Sequence, residues 1–220
     1  MSDTRKTFDK DLLALKTNLL DMGQLVEDAI EKSVISLVEH DIELADEVID
    51  HDKRINNMQK VIDSQVINLI TQQQPVAKDL RKVISAIKMN ASLERMGDLA
   101  KNIAKIAKRL ETKPSEPVQL RIKEIAVLIQ KMVHGILHAF HDDNEEAAKK
   151  IAMEDDKVDN LYKLYLNYLL CAVNESKKTA EFGIQLAFAG RHLERIGDHV
   201  TNIAEQLVFL EEAKHLNLNK

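Results

Sequence analysis

Residues 93–104 read LERMGDLAKNIA, and residues 193–204 read LERIGDHVTNIA. Both copies keep a glycine, Gly97 and Gly197, inside a run whose apolar residues recur at helical spacing. A glycine in a helix interior costs about 1 kcal/mol relative to alanine. A penalty retained twice marks a constraint. A bare backbone at that point lets a second helix or a ligand approach closely. The echo extends further: LADEVIDHDKRINNM (44–58) aligns with AAKKIAMEDDKVDNL (147–161) at an offset of 103, and the opening pair at an offset of 100. The second half of the chain therefore reads as a duplicate of the first.

Helical periodicity runs along almost the whole chain. Leu12, Leu15, Leu19, Met22, Val26, Ala29, Ile30 and Val34 form one stripe. Leu44, Val48, Ile55, Met58, Ile62, Val66 and Leu69 form a second, and Leu80, Val83, Ile87, Leu93 and Met96 a third. The breaks are short: EHDIE, TQQQP, ETKPSEP, FHDDNE and NESKK. Pro114 and Pro117 both fall in the central one and mark the domain boundary. The expected fold is all-α: two tandem, duplicated three-helix bundles of long antiparallel helices, six in all, mostly about 25–35 residues each. The first bundle spans residues 1–112, the linker 113–117 and the second bundle 118–220.

Composition agrees. Of the 220 residues 45% are hydrophobic and 30% charged, while only 6 are glycine and 3 proline, too few for a turn-rich sheet protein. Aromatics make up 4% and tryptophan is absent, so aliphatic residues and methionine must fill the core. The net charge is −5, and no basic stripe with interleaved aromatics is present, which argues against nucleic-acid binding. No stretch approaches the length of a membrane span, and the N-terminal residues are polar with no apolar signal core. Cys171, the single cysteine, is expected to be a small buried apolar residue, and a cytoplasmic location is expected.

Chemistry is concentrated in the duplicated motifs. Glu94 and Asp98 are four residues apart, as are Glu194 and Asp198, so each pair projects from one helix face. A second acidic pair, Asp155 and Asp159, lies on the preceding helix, with Asp52 and Asn56 as its first-half equivalents. If those helices are antiparallel neighbours, the pairs face each other and form an oxygen-rich cage for a hard or borderline cation such as Mg, Mn, Fe or Zn. Asn56 brings no charge, so the first cage should bind more weakly. The competing reading is that these acids pair on solvated faces with Lys53, Arg54, Arg95, Lys157, Arg191 and Arg195. A carboxylate-bridged di-iron oxidase is disfavoured, because no Glu-x-x-His pair occurs in the motifs and His199 points off the metal face. His134, His138 and His141 share a stripe, have no echo in the first half, and read as histidines at a bundle edge.

With ERMGD and ERIGD on the third helix of each half, QPVAKDLR (74–81) and the segments beginning at Asp52 and Asp155, the chain resembles the PhoU family over residues 8–210. That resemblance implies metal clusters at the acidic motifs, hence Asp52, Asn56, Glu94, Asp98, Asp155, Asp159, Glu194 and Asp198 as ligands. It implies divalent or trivalent metal ions as cofactors, a homodimer, and no enzymatic activity. It also implies a negative regulator of phosphate-starvation signalling whose partners are the ATPase subunit of a phosphate ABC transporter and a sensor histidine kinase. Two rival functions stay open: a metal-dependent hydrolase using the clustered carboxylates, and a helical scaffold that holds no metal.

Overall fold

A computed structural model of the chain describes residues 3–172, 177–212 and 217–218. Helices α1 (Asp3–Glu39), α2 (Ile42–Gln73) and α3 (Ala77–Arg109) build the first half. Helices α4 (Glu116–His141), α5 (Glu145–Ala152), α6 (Asp155–Ala172) and α7 (Lys177–Glu212) build the second. No strand occurs among the described residues, and no helix there is long and apolar enough to cross a membrane.

Local chemistry explains where these helices start and stop. Asp41 caps α2 by accepting a hydrogen bond from the Leu44 backbone N–H at 2.9 Å, and Asn144 caps α5 by accepting from Ala147 at 3.0 Å. Pro117 stands in the first turn of α4, where its missing N–H costs nothing. Three turns use a left-handed residue without glycine: His40 (φ 56°) after α1, Gln74 (φ 44°) after α2 and Asp143 (φ 50°) after α4. The His40 ring also bonds the Leu110 carbonyl at 2.9 Å and ties the α1–α2 turn to the end of α3.

In the first half, α1, α2 and α3 pack pairwise against one another. In the second, α4 and α7 pack together and each covers both α5 and α6. The halves join along α3 against α7 and α1 against α4, so the apolar core is continuous through both. Leu15, Leu19, Met22, Val26 and Ile30 of the first stripe are all buried, as are Leu193, Ile196 and Val200 in the second copy of the opening motif. Tyr165 fills the core between α6 and α7 and donates its hydroxyl to the Leu186 carbonyl at 3.0 Å.

Three expectations are corrected. The second helix of the second half is two helices, which makes seven among the described residues instead of six. The chain closes α5 with a tight bond from the Glu154 N–H to the Ile151 carbonyl, and the Glu154 carbonyl then accepts from Lys157 and Val158 to start α6. Ala148 and Ala152 before the break and Val158 after it are all buried. Second, Cys171 is exposed, not buried, near the end of α6. Third, Ile87 lies off the core stripe of α3, 40% exposed, while Ala86 and Met89 take the inward positions.

Candidate metal centre

Two acidic clusters form where the duplicated motifs meet, one per half. In the second, α6 opens on Asp155, with Asp159 one turn on, and α7 carries Glu194 and Asp198. The break before α6 therefore sets Asp155 at a helix N-terminus, where the backbone dipole favours an anion. Gly197 makes room for it: a Cβ built there would stand 2.6 Å from Asp155 Oδ1. No alanine fits without moving that carboxylate.

The four carboxylates act on one another. Burial, then the charges of Asp198, Asp159 and Asp156, push Asp155 up to about 6. Burial, then Asp198, push Glu194 up to about 7, with Asp159 and Asp155 adding to the rise and Arg191 opposing it. Asp198 is also raised, by burial first and by Asp159, against Arg191 and Arg195. The Arg191 guanidinium contacts Glu194 Oε1. Lys163 stands 3.9 Å from Asp159. Two buried oxygens find no hydrogen-bond partner: Asp155 Oδ1 and Glu194 Oε2. Glu194 retains only 9% of its side-chain exposure. Among the described residues no three acidic, imidazole or thiolate side chains converge on one metal-binding position. An all-oxygen donor set with two unpartnered buried oxygens and a glycine-lined wall fits a hard or borderline cation.

The first half brings Asp52, Asn56, Glu94 and Asp98 together in a different way. Asp52 on α2 is buried. Its Oδ2 accepts from the Asn56 amide at 2.8 Å and from Lys101 Nζ at 2.8 Å. Lys101 also reaches Asp98 Oδ1 at 2.6 Å and so bridges α2 and α3. Glu94 is raised by burial first and by Asp98, with Arg95 3.5 Å away in opposition. A Cβ on Gly97 would meet no carboxylate here, only Ile55 Cδ1 at 2.9 Å.

Lys101 is the residue that motif reading passed over. Its signal is in the alignment of the two copies, where Thr201 holds the equivalent position. The histidine trio lies elsewhere, on α4 facing α1, with His134 Nδ1 3.1 Å from Glu27 and the His134 and His138 rings edge to face at 4.5 Å. His199, expected off the metal face, has Arg195 and Arg95 as its charged neighbours.

Relatives carry the same architecture. A family model described as the PhoU domain matches the chain twice, at residues 19–107 and 122–207. A Clostridium acetobutylicum protein named phosphate-specific transport system accessory protein PhoU homolog is 37% identical over 217 residues, covering 98% of this chain and 99% of that one. A Pseudomonas aeruginosa protein of the same name is 35% identical, covering 97% of this chain and 90% of its own length. The crystal structure of PhoU from Pseudomonas aeruginosa superposes with a TM-score of 0.90 at 35% identity, over 94% of this chain and all (100%) of that one. That of the phosphate transport system regulatory protein PhoU from Streptococcus pneumoniae does so with a TM-score of 0.88 at 31% identity, over 96% of this chain and 99% of that one. Two domain matches, near-full-length identity and a shared fold establish that this chain belongs to the PhoU family.

Proposed function

We propose that this protein is a metal-binding, non-enzymatic accessory protein of phosphate-specific transport, acting in the cytoplasm as a homodimer. It restrains phosphate-starvation signalling by coupling the state of the phosphate ABC transporter, through its ATPase subunit, to a sensor histidine kinase. The observation that carries the regulatory role is the near-full-length identity to proteins named as accessory and regulatory components of phosphate transport. Support for the metal comes from the second-half cluster, whose four carboxylates include two buried oxygens without partners.

Asp155, Asp159, Glu194 and Asp198 would hold the metal. A bound cation supplies positive charge that neutralises the cluster and joins α6 to α7. The chain's own residues do the rest. Gly197 leaves clearance for Asp155, and Arg191 holds one Glu194 oxygen while the other is buried without a partner. Coupling of this kind requires that the docking face bind two partner states with different affinity.

Deleting the protein and measuring phosphate-starvation gene output in high phosphate tests the regulatory role. Constitutive output is expected, and unchanged output would sink the proposal. Elemental analysis of protein purified without added metal or chelator, wild type beside the Asp155→Ala/Glu194→Ala double variant, tests the metal. Metal in the first and none in the second is expected.

A further inference from the structure

We infer that Lys101 is a built-in cation that takes the place of a metal ion in the first half, so that the chain offers one metal centre instead of two. The inference rests on the metal reading of the second half. Lys101 Nζ sits 2.8 Å from Asp52 Oδ2 and 2.6 Å from Asp98 Oδ1. These are two of the three carboxylates of the first cage, one from α2 and one from α3; Glu94 on α3 is the third. The Lys101 and Asp52 side chains keep only 19% and 9% of their exposure, so this is no loose surface pair.

Asn56 supports the same reading. A ligating amide presents its carbonyl oxygen to the metal, whereas Asn56 turns its NH2 toward Asp52, 2.8 Å from Oδ2. That oxygen accepts from both Asn56 and Lys101 and has little left to offer a metal. A divalent ion entering here would meet a fixed positive charge already at hydrogen-bond range of two of the three carboxylates.

The duplicate supplies the control. Thr201, at the place of Lys101, is fully buried and donates its hydroxyl to the Gly197 carbonyl of its own helix at 3.2 Å. It reaches no carboxylate. The second half thus has four carboxylates, with Arg191 in contact with Glu194 and Lys163 3.9 Å from Asp159, and orphaned oxygens on Asp155 and Glu194. The first half has three carboxylates with an ammonium between two of them.

Mn2+ titration of the metal-stripped full chain tests this, counting bound equivalents in wild type, Glu194→Gln, Lys101→Thr/Asn56→Asp, and the triple variant combining all three changes. Wild type is expected to bind one equivalent and Glu194→Gln none. The double variant should bind two, and the triple variant should keep the new one. Two equivalents in wild type, with one surviving Glu194→Gln, would overturn the assignment, as would no added equivalent in the double variant. No binding in wild type with one equivalent in the double variant overturns the second-half metal reading and leaves Lys101 in its role. If the double variant lacks helical circular dichroism when stripped, recovery of the signal on adding Mn2+ counts in favour, and no recovery counts against.

Discussion

Gly197 and Gly97 occupy the same place in two copies of one motif and do different work. A Cβ at Gly197 would press on Asp155 Oδ1 at 2.6 Å and on Ile129 at 3.3 Å, while one at Gly97 would press on Ile55 at 2.9 and 3.2 Å. Alanine also gains about 1 kcal/mol of helix propensity at either position. Gly97→Ala is therefore expected to leave stability within about 1 kcal/mol of wild type and to leave metal binding intact. Gly197→Ala should fold but lose metal affinity, because the carboxylate it displaces is a proposed ligand; Mn2+ titration of the two variants checks the contrast. The acids themselves set a pH dependence. Asp155 and Glu194 sit near 6 and 7 in the folded metal-free chain, above their unfolded values, so the native state holds more protons between about pH 4 and pH 7. Their contribution is fully present below pH 4 and is lost as pH rises through 7. Chelator-treated protein should therefore lose stability across that window, and Glu194→Gln should reduce the loss by about 1–2 kcal/mol in denaturant melts at pH 7.5. A steeper loss in the variant would contradict this. The carboxylates were legible because duplication set each beside its copy. Lys101 was not, because a lysine three residues past an aspartate is an ordinary surface pattern until the fold places Asp52 against it.

Helices α5 and α6 show how far periodicity reaches. The boundaries after α1, α2 and α4 coincide with polar or proline-containing breaks in the chain. The break at Met153 and Glu154 has no such signal. Its residues carry neither glycine nor proline, and the first-half equivalent runs unbroken through α2. It falls between the buried Ala148 and Ala152 of α5 and the buried Val158 of α6, whose first-half equivalents Ala45, Ile49 and Ile55 all pack on the core from unbroken α2. Eight residues make α5 too short to persist alone, so its start depends on the Asn144 cap. Asn144→Ala is expected to cost about 1 kcal/mol in denaturant melts. Backbone amides of α5 should then exchange faster with solvent while those of α2 stay unchanged.

One core runs through the molecule, because α3 packs on α7 and α1 on α4 across the two halves. A chain divided into independent bundles would melt twice. This one is expected to melt once when metal-stripped, with calorimetric and van't Hoff enthalpies in agreement; two resolved transitions would show that the halves are energetically separate. By itself the sequence determined the all-α class, the duplication, the positions of most turns and the acidic residues of both motifs. These follow from spacing along one helix and from comparison of two copies, both local to the chain. Tertiary structure decided which acids an ammonium bridges across helices: Lys101 joins Asp52 to Asp98 in one half, while Thr201, at its place in the other, turns back to its own helix. It also decided the break before Asp155, the exposure of Cys171 and the union of the halves. The physical reason is one of distance: charge pairing and packing depend on separations across helices, and those are set only when the helices dock.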